Sequence, residues 1–282
     1  MAGEGGDFVA KTLVGIAGTL ERAIFSEELA RMPGLLQGID PRAKVVAGLM
    51  LLVAAGLARH LEVVMTLYAV TLLLARLSHL PLGDFARRVW LGIPLFAALV
   101  MLPSLVLLPG RPLLVLLETP SLRLAVSDNG VASVALFVVR VGTSVSLALL
   151  LVSTTRWTDL LRALRVLRVP DSFVVVLSMT YRYLFLLLRA AGNLFQARAS
   201  RTVGPTGGGE QRRWAAAATG VLMSRSMRMS ADVLLAMRAR GFEGEFRSES
   251  LPRMRDEDWL LLVMSLMLAA GLLLVDRGLG RL

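Results

Sequence analysis

Long apolar stretches with few charges constrain the fold of this chain more than any other feature. A bilayer core about 30 Å thick requires about 20 mostly apolar residues per helix. Five stretches approach that length, at residues 43–58, 61–77, 90–108, 131–153 and 259–275. The composition agrees, with 55% hydrophobic residues and a mean hydropathy of +0.66. The sequence therefore predicts an all-α, polytopic helical membrane protein with a cytoplasmic helical segment.

The basic residues predict the orientation of the chain in the membrane. The connection between the second and third stretches carries Arg76, His79, Asp84, Arg87 and Arg88, whereas the next connection balances its charges. Because cytoplasmic loops are enriched in Lys and Arg, the first of these connections and the N-terminus are expected inside. The arginine-rich residues 154–258 then also lie inside. This placement accounts for the net charge of +10, so we expect no nucleic-acid partner.

The chain divides into four predicted regions. Residues 1–40 form an N-terminal cytoplasmic or interfacial segment, and residues 41–154 form transmembrane helices one to four. Residues 155–257 are helices partly embedded in the membrane with cytoplasmic ends, and residues 258–282 contain a C-terminal transmembrane helix. Within the third region, the apolar stretch 169–188 is interrupted by Arg182. We expect that stretch to lie half in the membrane and half in the cytoplasm.

Local signals predict how the first span begins and how the fourth is reached. Asp40 is expected to cap the first helix, with Pro41 in its first turn and the cations of Arg42 and Lys44 at the cytoplasmic headgroups. The connection over residues 103–130 contains repeated prolines and glycines. It is therefore predicted to be an extracytoplasmic loop.

Periodicity divides the cytoplasmic segment into three helices. The first covers residues 157–168 and is stopped by Pro170, and the second runs from Asp171 to about Ser200. A glycine-rich break follows, and a third helix starts at Arg212 or Arg213 and ends at a terminating glycine. The last two helices form a hairpin. Its arms finish in similar tripeptides: Ala197, Arg198 and Ala199 on the first arm, and Ala239, Arg240 and Gly241 on the second.

The two tripeptides can be interpreted either as ordinary helix ends or as docking sites for a partner. Arginine is favoured at a helix C-terminus by the helix dipole, and glycine by the left-handed cap, so each alone is typical of an ordinary helix end. The pair on one hairpin favours docking, because a small residue admits a partner to the backbone and arginine offers a planar fork for a carboxylate.

Arg140 is the notable charge inside a span. An arginine well inside a transmembrane helix is costly in lipid, so Arg140 is expected to face protein or water. We favour a structural or subunit contact in the membrane over ion conduction. The two histidines, His60 and His79, lie near span ends and are expected to be interfacial, so no metal site is predicted in this chain.

These features together resemble the transmembrane T component of energy-coupling factor (ECF) ABC transporters, in the cobalt-type CbiQ group. The resemblance covers roughly residues 20–275. It rests on the stretches 38–44, 153–161, 181–184 and 239–244 and on the fourth span that contains Arg140. In that family two Ala-Arg-Gly motifs end paired coupling helices and dock on two cytoplasmic ABC ATPase subunits. Here the second motif matches fully, and Ala199 replaces glycine in the first.

The resemblance implies an energy-coupling subunit without its own catalytic site. ATP and Mg would be bound and hydrolysed by the partner ATPases, which agrees with the absence of a G-x-x-x-x-G-K-[ST] phosphate loop. Further implied partners are a substrate-binding membrane subunit similar to CbiM and a small accessory membrane subunit. The location would be the plasma membrane of a prokaryote, with a multi-pass topology. Cobalt or nickel would be the cargo, and no cofactor would reside in this chain.

Three alternatives remain open at this level. A vitamin is a second class of cargo, because specificity in such systems resides in the companion subunit. A polytopic membrane enzyme would need a nucleophile, an acid–base pair or clustered carboxylates within its spans, and these spans carry almost none. A self-sufficient channel or secondary carrier would place ionisable groups near the midplane of the bilayer. Arg140 alone gives weak support for this class.

Overall fold

The fold was analysed in a computed structural model of the chain. It describes residues 34–107, 112–119, 122–202, 207–242 and 254–279, together with Gly15 and Gly18. The described elements are α1 (Pro41–Leu57), α2 (Leu61–Leu77), α3 (Leu82–Trp90), α4 (Ile93–Met101), α5 (Ser104–Leu107), β1 (Pro112–Thr119), β2 (Leu122–Ser127), α6 (Asp128–Thr154), α7 (Trp157–Val166), α8 (Asp171–Arg201), α9 (Gly208–Ala239) and α10 (Asp256–Leu279).

The chain forms two compact units. One comprises residues 27–163 and 252–282, and the other comprises residues 164–251 with the first 26 residues. The first unit is a bundle in which α1 packs against α10 and α6, and α2 packs against α6. The second unit contains α8 and α9. The fold is therefore helical, as the sequence predicts, and the helical segment with the arginine tripeptides belongs to a unit of its own.

Among the described residues, three helices are long and apolar enough to cross a membrane: α6, α8 and α10. Helices α1 and α2 have 17 residues each, at the short end of the range of about 17–25 residues that spans a bilayer. The outward surfaces are apolar, with Met264, Met267 and Leu274 of α10 more than 60% exposed. Such a surface is typical of a lipid-facing bundle, since water would not solvate it.

The third predicted span is wrong as a continuous helix. Residues 90–107 of this stretch are divided among the end of α3, α4 and α5, and Leu108 lies outside the described residues. Gly92 has a non-helical backbone with φ −98° and ψ −114° and leads into α4, whose first turn contains Pro94. Pro103 then separates α4 from α5. A proline has no backbone N–H for the preceding turn and clashes with it, so two short helices replace one long helix here.

The connection before α6 also differs from the prediction of a loop. Strands β1 and β2 form an antiparallel hairpin, with Glu118 opposite Arg123 in its register. Pro112 stands at the first position of β1, where its missing N–H interrupts no ladder. The prolines and glycines mark the boundaries of this hairpin, and the Leu- and Val-rich residues between them have β-strand geometry.

The start of α1 confirms the predicted cap and corrects the position of Lys44. The Asp40 side chain accepts a hydrogen bond from the Arg42 N–H at 2.8 Å, and Pro41 occupies the first turn. The Lys44 side chain is buried in the bundle instead of being open to the headgroups, because only 6% of the residue is exposed. Its Nζ donates to the carbonyl oxygen of Thr154, the last residue of α6, at 3.0 Å. The Lys44 ammonium, one turn inside α1, is therefore hydrogen-bonded to the C-terminal end of α6.

The hairpin of α8 and α9 follows the predicted boundaries closely. Arg168 takes a left-handed φ of 65° after α7, and Pro170 precedes the start of α8 at Asp171. Helix α9 begins at Gly208, four residues before the earlier of the two predicted starts, Arg212. The glycine-rich break is thus shorter than predicted, because glycine is disfavoured in a helix by only about 1 kcal/mol.

Candidate functional site

The first arginine tripeptide lies in the last turns of α8. Arg198 is buried, and its guanidinium carbon lies 4.6 Å from the centre of the Trp214 ring on α9. The Phe195 ring packs edge-on against the same tryptophan, with centroids 4.8 Å apart. Arg198 therefore helps to close the hairpin through a cation–π contact.

The hydrogen-bonding capacity of Arg198 is incompletely used. Its Nη2 lies 3.8 Å from Oε1 of Glu210, which is too long for a hydrogen bond. Both Nη atoms are buried and have no hydrogen-bond partner among the described residues. A desolvated guanidinium in this state is energetically costly until a carboxylate or another acceptor reaches it.

The second tripeptide forms a different structure at the far end of α9. Gly241 has φ +82°, its N–H donates to the Arg238 carbonyl, and the Phe242 N–H donates to the Met237 carbonyl. This pair of hydrogen bonds is a Schellman motif, in which the left-handed position favours glycine. Ala239 and Arg240 are exposed. Gly241 thus confirms the predicted helix end, and the Arg240 side chain projects from a rigid cap.

The two arginine sites are far apart on the hairpin. Arg198 packs on Trp214 near the start of α9, and Arg240 follows its last residue. Twenty-six helical residues at 1.5 Å per residue separate the two positions by about 39 Å. The sequence similarity of the tripeptides therefore hides a structural difference: one arginine is stacked within the hairpin, and the other is presented at its free end.

Arg140 contacts a neighbouring helix end within the bundle. Its Nη2 donates to the carbonyl oxygen of Ala58 at 2.6 Å. Ala58 is the residue that follows α1, so the guanidinium satisfies a carbonyl at a helix C-terminus. The Arg140 guanidinium thus contacts protein, and its contact is a backbone carbonyl rather than a carboxylate.

A second charged group holds the same turn between α1 and α2. The Asp276 carboxylate of α10 accepts hydrogen bonds from the N–H groups of Arg59 and His60, at 2.9 Å each. It also lies 2.9 Å from Nδ1 of His60. Sequence reasoning missed Asp276, although an aspartate at the end of an apolar run is an available signal for such a contact.

A matching contact lies at the opposite end of α10. Oδ1 of Asp258 accepts from the Asp40 N–H at 2.6 Å, and Oδ2 accepts from the Arg255 N–H at 2.7 Å. Asp258 and Asp276 are both less than 5% exposed. Helix α10 therefore binds both ends of α1 through two buried carboxylates.

The histidines do not build a metal site in the described part of the chain. Within it, no three His, Cys, Asp or Glu side chains cluster at metal-binding distances. Nδ1 of His60 is engaged by Asp276, and His79 occupies a left-handed turn position with φ 54°. Asp276 already accepts from two backbone amides. These contacts account for the positions of the His60 and Asp276 side chains.

The bundle and the hairpin define a helical membrane protein whose polar contacts are structural and whose second unit presents arginine at a helix end. The chain belongs to the cobalt transport protein (CbiQ) family, which it matches over residues 34–251. The matched region contains both tripeptides and ends before α10. The protein is thus a membrane component of a transport family, and the resemblance found in its motifs is confirmed.

Two relatives illustrate the similarity. The chain is 32% identical over 270 residues to an uncharacterized protein of Methanocaldococcus jannaschii, covering 95% of this chain and 92% of the relative. It is 30% identical over 185 residues to the cobalt transport protein CbiQ of Rhodobacter capsulatus, covering 64% of this chain and 74% of that protein. The archaeal similarity extends over almost the full length of both chains.

Proposed function

We propose that this protein is the energy-coupling transmembrane (T) subunit of an ECF-type ABC importer in a prokaryotic plasma membrane. It passes the ATP-driven movement of two cytoplasmic ABC ATPase subunits to a substrate-binding membrane subunit similar to CbiM. A small accessory membrane subunit completes the assembly. ATP and Mg bind to the partner ATPases. The separate α8–α9 unit with its two arginine tripeptides is the observation that carries this proposal.

The geometry of the hairpin supports two docking points rather than one. A separation of about 39 Å along α9 is too large for Arg198 and Arg240 to enter one groove. Two ATPase subunits offer two equivalent grooves, and each arginine tripeptide occupies one of them. In this arrangement Ala197, Ala199 and Ala239 admit the groove wall close to the helix backbone.

The two arginines enter their grooves from different starting states. Arg240 is exposed on a fixed cap, so an acidic groove meets a backbone that is already ordered, which lowers the entropic cost of binding. Arg198 is stacked on Trp214 and retains two buried nitrogens without acceptors. A carboxylate from the partner would satisfy them, so ATPase docking would relieve an unfavourable feature of the free chain.

Cobalt or nickel is the proposed cargo, because the family and its characterised relative carry the name of cobalt transport. The metal contacts belong to the substrate-binding subunit in this proposal. Uptake of radiolabelled cobalt, nickel or a vitamin by cells that express the complete system distinguishes these cargoes. Uptake of a vitamin alone would leave the energy-coupling role intact and overturn the assignment of a metal.

Charge reversal of the two arginines tests the docking role. Arg240→Glu should abolish co-purification of one or both ATPases in mild detergent, because it places a carboxylate against an acidic groove. Arg198→Glu should weaken it as well. The matched controls are Arg238→Glu and Arg201→Glu, which make the same charge change at exposed positions on the same two helix ends. Both controls should retain the ATPases.

Thermal unfolding of each purified variant separates loss of docking from loss of structure. Arg240 is exposed, so its reversal should leave the unfolding temperature of the chain unchanged. If ATPases remain bound to the Arg198→Glu/Arg240→Glu protein, the docking assignment is wrong. If the chain alone hydrolyses or transports a substrate, the coupling role itself is wrong.

A further inference from the structure

The short helix α3 has two faces of opposite character. Phe85 and Val89 are buried in the core cluster that also contains Leu80 and Leu150. Asp84, Arg87 and Arg88 lie exposed on the other face. The buried face fixes the rotation of α3, so its two arginines necessarily point away from the bundle.

An aromatic pair fixes the C-terminal end of α3 against α2. The Trp90 indole N–H donates to the Tyr68 hydroxyl at 2.8 Å, and the two rings meet edge-on with centroids 6.0 Å apart. Val89 of α3 packs in one cluster with Ala75, near the end of α2, and with Leu150, near the end of α6. Helix α3 therefore lies beside the ends of these two spans, where an amphipathic helix presents its polar face to the headgroups.

The surface next to the aromatic pair is apolar and faces outward. Leu91, Ile93 and Phe96 are 61%, 60% and 66% exposed. They lie three, five and eight residues after Arg88 in the chain, so positive charge and exposed apolar surface are close together. This continuity matches the two parts of a phospholipid, a charged head and an apolar tail.

An open groove joins the two surfaces. It has a volume of ≈ 480 Å³ and is lined by Asp84, Arg87, Arg88, Leu91 and Gly92. Within the described part of the chain, neither the Arg87 nor the Arg88 guanidinium makes an ion pair or hydrogen bond. Two arginines against one aspartate leave the groove with one excess positive charge. Arginine forks match phosphate oxygens in geometry and charge.

We propose that this groove binds the headgroup of an anionic phospholipid. Arg87 and Arg88 donate to the phosphate oxygens, and the acyl chains lie along Leu91, Ile93 and Phe96. The site is independent of the tripeptides at the hairpin ends. A bound lipid would fix α3 and the adjoining break at Gly92 to the membrane surface.

The test titrates the purified full-length chain with phosphatidylglycerol or phosphatidylcholine and follows bound lipid by native mass spectrometry. The wild-type protein should bind phosphatidylglycerol about tenfold or more tightly than phosphatidylcholine. Arg87→Gln/Arg88→Gln should remove that preference, and Arg87→Lys/Arg88→Lys should keep most of it. Asp84→Asn should strengthen it, because the like charge opposite the phosphate is removed.

The matched control is Arg212→Gln/Arg213→Gln, which neutralises another pair of adjacent exposed arginines on α9. It should leave the lipid preference unchanged. The position is checked with brominated phosphatidylglycerol, which should quench wild-type fluorescence by a component that Trp90→Phe abolishes. That component should fall in the Arg87→Gln/Arg88→Gln protein.

Several results would overturn the inference. One is equal affinity for both lipids, and another is a preference that survives the Arg87→Gln/Arg88→Gln change. Displacement of phosphatidylglycerol by millimolar inorganic phosphate would assign the groove to free phosphate instead. If the variant loses a co-purifying subunit while its lipid preference stays intact, α3 is a protein contact and the lipid assignment is wrong.

Discussion

At the scale of single residues, Arg140 shows how a charge inside a span becomes a structural group. An arginine alone in hydrocarbon is unfavourable by several kcal/mol. A hydrogen bond from its guanidinium to an unpaired backbone carbonyl satisfies both groups. Ala58 is the residue after the end of α1, so no following helical turn supplies an N–H donor to its carbonyl. The contact therefore stabilises the turn from α1 to α2.

Replacement of Arg140 should destabilise the bundle measurably. Arg140→Met leaves the Ala58 carbonyl without its side-chain donor, and we expect a loss of about 1–3 kcal/mol in the free energy of unfolding. Arg140→Lys should lose less, because it keeps a donor. Denaturant unfolding of the chain in mild detergent measures the difference.

The control for Arg140 lies in the same turn. Arg59 has an exposed side chain whose removal leaves its backbone contact with Asp276 intact. Arg59→Met makes the same change in charge and should shift stability by less than about 0.5 kcal/mol. Equal effects of Arg140→Met and Arg59→Met would show that overall charge, rather than the Ala58 contact, is responsible.

At the scale of elements, α10 is hydrogen-bonded to both ends of α1. Eighteen residues separate Asp258 from Asp276, a rise of about 27 Å, and the 17 residues of α1 span about 26 Å. The carboxylates therefore reach both ends of α1, which runs parallel to α10. Each one satisfies backbone N–H groups that no helix turn satisfies.

The two contacts between α10 and α1 should contribute independently to the free energy of unfolding. Asp258→Ala and Asp276→Ala should each cost about 1–3 kcal/mol in unfolding free energy, because buried N–H groups lose their acceptors. Sites this far apart usually add within about 0.5 kcal/mol, so the double variant should show the sum. Chemical unfolding of the two single variants, the double variant and the exposed control Glu257→Ala tests this. A double variant no less stable than either single one would rule out two separate contacts.

At the scale of the whole membrane bundle, helix directions agree with the orientation expected from charge. Asp258 meets Asp40 at the start of α1, and Lys44 near that start meets Thr154 at the end of α6. Helix α1 thus runs parallel to α10 and antiparallel to α6. The starts of α1 and α10 and the end of α6 share one side, which the positive-inside rule assigns to the cytoplasm.

This orientation predicts a labelling pattern, and the cysteine-free chain suits the experiment. A membrane-impermeant maleimide should label Arg59→Cys and Gly278→Cys in intact cells. It should label Gly83→Cys and Gly207→Cys only after permeabilisation. All four positions are exposed, and the three glycines have open space where a Cβ would stand. Labelling of Gly83→Cys from outside would invert the proposed topology.

The predictions made from sequence succeeded where neighbouring residues decide the structure. The cap at Asp40, the start of α8 after Pro170 and the left-handed end at Gly241 all follow from local backbone chemistry. The continuous third span failed because Gly92 and Pro103 act within it, and average hydropathy does not register such breaks. The strands before α6 were missed because short apolar runs do not distinguish strand from loop or helix.

The sequence by itself determined the helical membrane class, the hairpin boundaries and the family, since each is encoded in short-range patterns, and its charges predict the orientation. Only the tertiary structure decided that Arg140 meets Ala58, that Asp276 meets Arg59 and that Arg198 stacks on Trp214 while Arg240 stays exposed. The Arg140 and Asp276 contacts join residues 82 and 217 positions apart. The physical reason is that a buried polar group pairs with whatever packing brings near it, and periodicity in sequence carries no record of that neighbour.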